Sequence, residues 1–139
     1  MVFPENSPIR QASAVPYRFR GTQPEFCLIT SINKGRWGFP KGIIDPGETT
    51  IQTALKEAKE EAGLNGFIEG KPLGQYEYYK WSTTLVVVAF LMRVTAVDDD
   101  WEEAELRSRC WCAAGEARQK IGRQELRGLL DAALKRIQG

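Results

Sequence analysis

The sequence predicts an α/β domain in which a sheet lies between helices, and three observations carry the prediction. Leu85 to Met92 is an almost unbroken apolar run, extended as a strand to Val94, and a strand of that composition must be covered on both faces. The segment before Gly63 has helical periodicity: Ile51, Ala54, Leu55, Ala58 and Ala62 fall at i, i+3, i+4, i+7 and i+11 and form one apolar stripe. Strand-like segments alternate with this helix and a second one near the C-terminus, which is the pattern of a layered α/β arrangement.

Taken in order, residues 1–7 read as a loose tail, and Gln11 to Arg20 and Glu25 to Ile32 as strands joined around Gly21 to Pro24. Asn33 to Gly35 supplies a turn, and Trp37 to Pro40 a short extended piece. Thr49 or Thr50 is the expected N-cap of the first helix, and Gly63 its stop. A strand region interrupted by Gly70, Pro72 and Gly74 spans Phe67 to Tyr79, and Val97 to Glu105 is an acidic loop before a short strand at Arg109 to Ala113. The last helix is expected over Gly115 to Ile137, weakened by Gly122 and Gly128.

With 139 residues, 19 of them basic and 18 acidic, the chain is sized for one domain with a proper core and carries no global field that favours nucleic acid or a membrane. The apolar run is far shorter than the roughly 20 residues a bilayer-crossing helix needs, so a soluble, cytoplasmic protein is expected. Cys27, Cys110 and Cys112 form neither an even framework nor a CxxC pair and read as buried or half-buried thiols, with Cys110 and Cys112 on one face of a strand. There is no histidine, so carboxylates must do any acid or base work.

Those carboxylates gather on the first helix. Glu57, Glu60 and Glu61 stand at i, i+3 and i+4 and share an arc of about 100°. Like charges at this spacing repel, and hard divalent cations such as magnesium or manganese are the simplest partners that would neutralise them. The chemistry that fits is phosphoryl transfer to water. Lys41, directly before Gly42, and Lys34 and Arg36 upstream are candidate donors to phosphate oxygens. Tyr76, Tyr78, Tyr79 and Trp81, with Lys80 among them, could offer a platform for a base, although aromatics favour strands anyway.

The order Gly42, five residues, Glu48, seven residues, then Lys56, Glu57, Ala58, Lys59, Glu60, Glu61, Ala62, Gly63 and Leu64 resembles the signature of the Nudix hydrolases, spanning 42–64. The resemblance implies a mixed sheet between helices, Mg2+ or Mn2+ as cofactor, and a small-molecule diphosphate as partner, with a homodimer left open. It further implies that Glu57 and Glu61 are metal ligands, joined by a main-chain carbonyl at Lys41 or Gly42. Glu60 becomes a further ligand or the catalytic base, a role that Glu61 or a loop carboxylate among Asp98, Asp99, Asp100, Glu102, Glu103 and Glu105 takes in relatives. Glu48 is expected to brace the loop by pairing with the residue at Lys56, where the family usually has arginine; lysine keeps the charge and loses the fork.

Beyond this signature, RWGFPKG from Arg36, WEE from Trp101 and RSRCW from Arg107 look like the branch acting on diphosphoinositol polyphosphates and dinucleoside polyphosphates. The segment from Tyr76 to Thr84 offers only Lys80 as a cation, which favours dinucleoside polyphosphates. The alternatives are another diphosphate, such as ADP-ribose, a nucleoside triphosphate or an RNA 5′ end, and a non-catalytic ligand sensor. An isoprenoid isomerase would need a reactive cysteine in the pocket, for which Cys27 is a poor candidate.

Overall fold

A computed structural model describes residues 8–139, and the tail expected over 1–7 lies outside them. In chain order the elements are β1 (Ile9–Arg20), β2 (Gln23–Thr30), β3 (Trp37–Gly38), β4 (Lys41–Ile43), α1 (Thr50–Ala62), β5 (Leu64–Ile68), β6 (Gly74–Lys80), β7 (Thr83–Val97), β8 (Arg109–Ala113), α2 (Ala114–Lys120) and α3 (Gln124–Gln138).

The apolar run forms most of β7, and both of its faces are covered, as its composition requires. Val87, Ala89 and Leu91 join a core built with Ala117, Ile121, Leu126, Leu129, Leu130 and Ala133 of the C-terminal segment. Phe90, Met92 and Val94 join a second core with Ala54, Ala58 and Ala62 of α1. The sheet is mixed: β7 runs parallel to β1 from Ile9↔Leu85 to Tyr17↔Arg93, and antiparallel to β6 and β5. The expected α/β sandwich is therefore the observed architecture.

On its other edge β1 changes neighbour midway. Gln11 to Ser13 pairs antiparallel with β4, and Tyr17 to Arg20 with β2. This fork brings β4 and the loop after it beside α1.

Thr49 caps α1 in a reciprocal box, its side chain accepting from the Gln52 N–H at 3.1 Å while the Gln52 side chain accepts from the Thr49 N–H at 2.9 Å. Gly63 closes the helix at φ 67°, a left-handed conformation that favours glycine. The apolar stripe is narrower than its periodicity suggests. Ile51 is 41% exposed and Leu55 half-buried, whereas Thr53 is fully buried because its hydroxyl bonds Glu48.

The C-terminal segment departs from the expected single helix. It is broken between α2 and α3, where Ile121 adopts an extended conformation and is fully buried. Turning one large apolar side chain into the core at the flexible Gly122 outweighs continuing the backbone ladder there. Gly128, the other expected weak point, lies inside α3. Among the described residues no helix is long and apolar enough to cross a membrane.

Candidate functional site

The carboxylate arc of α1 divides into two groups. Glu57 and Glu61 turn inward to β4, while Glu60 turns towards the loop between β7 and β8. The Glu57 carboxyl lies against Gly42 so closely that a Cβ there would stand 2.2 Å from its Cδ; only glycine leaves this space. Glu61 accepts from the Lys41 main-chain N–H at 3.0 Å through Oε1 and from Arg107 at 3.0 Å through Oε2. Glu57 makes no hydrogen bond among the described residues.

Burial pushes the Glu57 carboxyl up to about 7, helped by the charges of Glu61 and Glu60. Glu61 is likewise raised to about 7 by burial, against the opposing pull of Arg107 and the Lys41 N–H. Glu60 is also raised, first by desolvation and then by Glu102. Oxygens of Glu60, Glu102 and Glu103 all lie within 4.8 Å of one another. Of the loop acids considered from sequence, Glu102 and Glu103 thus reach the helix carboxylates, whereas Asp98 pairs with Lys59 at 3.1 Å and is a surface tie.

The loop holds this position because it satisfies the carbonyls that end α1. Successive acceptors Glu60, Glu61, Ala62 and Gly63 receive bonds from the Glu103 N–H at 3.1 Å, the Trp101 indole at 2.9 Å, Arg109 at 2.8 Å and the Asp98 N–H at 2.8 Å. Arg109 also stacks 3.9 Å from the Trp101 ring centroid. Below the helix, the loop brace takes the expected form with one addition. The Lys56 ammonium meets both Glu48 oxygens, at 2.8 and 3.0 Å, and also Asp45 at 3.0 Å. These bonds hold Glu48 below the usual carboxylate range.

Lys41 joins the carboxylates to a second, uncharged cluster. Its ammonium donates to Tyr78 Oη at 2.8 Å and approaches Gln11 Oε1 at 3.4 Å, and Tyr78 Oη donates to Gln11 Oε1 at 2.7 Å. Tyr78 stacks on Tyr76, with centroids 6.3 Å apart, and the Arg123 guanidinium sits over both rings.

Other candidates do not converge here. Lys34 and Arg36 lie on the exposed turn between β2 and β3, and their side chains make no hydrogen bond among the described residues. Lys80 rests over Trp81 at 4.6 Å, and Tyr79 and Trp81 are exposed. Cys110 and Cys112 share a face with their sulfurs 3.2 Å apart, and burial pushes Cys27 up to about 12.

Three partners in this site went unassigned by sequence reading. Arg107 left a usable signal, since Glu103 precedes it by four residues, and the two side chains pair at 2.7 Å. Trp101 and Gln11 left little: an indole aimed at a helix carbonyl has no period, and Gln11 is only one polar residue in a strand, between the exposed Arg10 and the buried Ala12.

The family model of the NUDIX domain matches residues 8–133. Nudix hydrolase 4 of Arabidopsis thaliana is 34% identical over 128 residues, covering 85% of this chain and 61% of its own length. The asymmetrical bis(5′-nucleosyl)-tetraphosphatase of Sus scrofa is 31% identical over 115 residues, 78% of each chain. Among solved structures, a binary complex of the C. elegans Ap4A hydrolase superposes with a TM-score of 0.83 at 27% identity, covering 94% of this chain and 98% of that one. The chain spans 50%, 61% and 64% of the length of three A. thaliana relatives it matches.

Proposed function

Because the chain belongs to the Nudix family, we propose that it hydrolyses a diphosphate bond with a magnesium or manganese ion as cofactor, and that its substrate class is the dinucleoside polyphosphates. The carrying observation is the inward pair Glu57 and Glu61, two carboxylates held against β4 with their proton affinities raised by burial. Such a pair is costly as two bare anions and becomes favourable around a hard cation.

The donor set fits that cation: every candidate ligand is an oxygen, and Glu60, Glu102 and Glu103 supply a further convergent group. Glu57 and Glu61 would hold the ion, with Glu60 beside them. When bound, it supplies charge neutralisation at the phosphates and a more acidic water.

The chain's own residues account for the rest. Glu60, half-buried beside Glu102 and raised in proton affinity, would take a proton from the attacking water as general base. Arg107 keeps Glu61 oriented, and Lys41 offers its ammonium to a phosphate oxygen while its main chain fixes Glu61. Tyr78, backed by Tyr76, lines the same approach.

The substrate class rests on likeness to the Sus scrofa tetraphosphatase and the C. elegans hydrolase, and on cation placement. A diphosphoinositol polyphosphate needs many converging cations; Lys41 and Arg123 meet at the Tyr78 ring, whereas Lys34 and Arg36 lie on an exposed turn and Lys80 rests over Trp81.

The deciding experiment is a hydrolysis screen with magnesium and manganese across dinucleoside polyphosphates, ADP-ribose, nucleoside triphosphates and diphosphoinositol phosphates, with product masses locating the broken bond. Cleavage of a dinucleoside polyphosphate is expected. Failure to cleave any diphosphate with either ion would end the hydrolase reading.

A further inference from the structure

We propose that Gln11 is a positioning residue of the substrate site: its Oε1 gathers the Tyr78 hydroxyl and the Lys41 ammonium into one cluster whose charge is left free for a phosphate. This rests on the reading of Lys41 as a phosphate donor given above.

Gln11 is only 5% exposed, on β1 between Ile43 of β4 and Val87 of β7. A buried side-chain amide destabilises a strand unless its polar atoms are bonded, so its retention here calls for partners. Those partners form a closed relay. A phenol has one proton, and Tyr78 donates it to Gln11 Oε1 at 2.7 Å, which turns the lone pairs of Tyr78 Oη to accept from Lys41 Nζ at 2.8 Å. Gln11 Oε1 then faces Lys41 Nζ at 3.4 Å. Without this acceptor the phenol would be free to rotate and the ammonium would lose its fixed direction.

The groups that the ammonium bonds are neutral, although its charge also acts on Glu61 and Arg123 shares the Tyr78 ring. Gln11, the Tyr78 hydroxyl and the Tyr78 ring, whose centroid is 4.9 Å from Nζ, orient the cation without cancelling it. No Asp or Glu forms an ion pair with Lys41 among the described residues. Glutamate at position 11 would have the same shape and a better acceptor, but it would quench the charge internally. The amide therefore holds the cation for an anion from outside.

The test compares wild type with Gln11→Glu, Gln11→Leu and Tyr78→Phe. It reads KM and kcat on whichever diphosphate wild type cleaves, calorimetric Kd for the nonhydrolysable β,γ-methylene analogue of ATP, and thermal melting. Gln11→Glu should raise KM and Kd by about tenfold while kcat stays within about threefold and the melting temperature does not fall. Gln11→Leu and Tyr78→Phe should weaken binding less, and their combination should be no worse than either alone, because both act through the same ammonium.

A residue serving only the fold would behave oppositely: the isosteric Gln11→Glu would leave KM and Kd at wild-type values, and Gln11→Leu would lower the melting temperature alone. That pattern overturns the proposal, as does a wild type that does not bind the analogue. Should Gln11→Glu fail to fold, an unchanged Kd in Tyr78→Phe overturns it equally. If wild type cleaves no diphosphate but binds the analogue and Gln11→Glu weakens that binding, the role of Gln11 stands and the hydrolase reading falls.

Discussion

The indole N–H of Trp101 donates to the main-chain carbonyl of Glu61 at 2.9 Å, so the loop that brings Glu102 and Glu103 to the site also ends the helix that carries Glu57, Glu60 and Glu61. Helix and loop are one unit. Trp101→Phe keeps most of the ring and removes the donor, leaving a part-buried carbonyl without its partner, and should cost about 1–3 kcal/mol by chemical denaturation. Stability equal to wild type would show that water replaces the indole without loss.

Glu57→Gln and Glu61→Gln should each lower kcat by orders of magnitude, on the order of a hundredfold or more, with far-UV circular dichroism unchanged. The two variants should differ in stability. Glu61 is tied to Arg107 and the Lys41 N–H, whereas Glu57 makes no hydrogen bond among the described residues. Neutralising Glu57 should leave the metal-free protein as stable or more so, and turnover at the wild-type rate in either variant would remove it from the mechanism.

Gly42→Ala places a methyl 2.2 Å from Glu57 Cδ. The obstacle is the far end of a flexible side chain, so the fold should survive while the carboxyl is displaced. Manganese affinity, read by electron paramagnetic resonance, should fall about tenfold or more, with a much smaller change in melting temperature. Equal manganese affinity in the variant would mean that Glu57 does not bind the ion from this position.

Stability of the metal-free protein should depend on pH in two windows of opposite sign. Glu57 and Glu61 are raised to about 7 from ordinary values near 4.5, so between these limits the folded state holds more protons than the unfolded one, and stability falls as pH rises. Glu48 is lowered, so its contribution is present above its unfolded value and lost as pH falls through the folded one, below about 4.5. Melting temperatures without metal should therefore be higher near pH 5 than near pH 8, and saturating magnesium should abolish or reverse that difference. A metal-free melting curve that rises across this range would contradict the placement of the pair.

Lys56→Arg should be neutral or mildly stabilising, within about 0.5 kcal/mol, because the ammonium already reaches both Glu48 oxygens and Asp45. A severe loss in urea titration would show that the site accepts a point charge and excludes the planar fork.

The local features were legible in the sequence because they follow from spacing. The apolar run of β7, an N-cap at Thr49 or Thr50 and the Gly63 stop rest on neighbours a few residues apart, whereas the Glu48 to Lys56 pair is expected from the resemblance to the Nudix signature. What sequence reading missed depends on distant partners. The periodicity from Gly115 to Ile137 is nearly unbroken, and only the pull of the core on Ile121 decides that the helix breaks at Gly122 and not at Gly128. Likewise, helical spacing put Glu57, Glu60 and Glu61 on one arc, but the backbone of β4 and the loop at Glu103 sort them into two groups.

Because β1 alternates its side chains across the sheet, Gln11 and Ser13 are in step with the core residues Val15 and Tyr17, while Ala12 and Ala14 are in step with the surface that receives α1. The proposed phosphate cluster and the hydrophobic packing thus depend on a single parity. A deletion of one residue in this strand would invert both together, so length variation among relatives should collect in the connecting turns and spare β1.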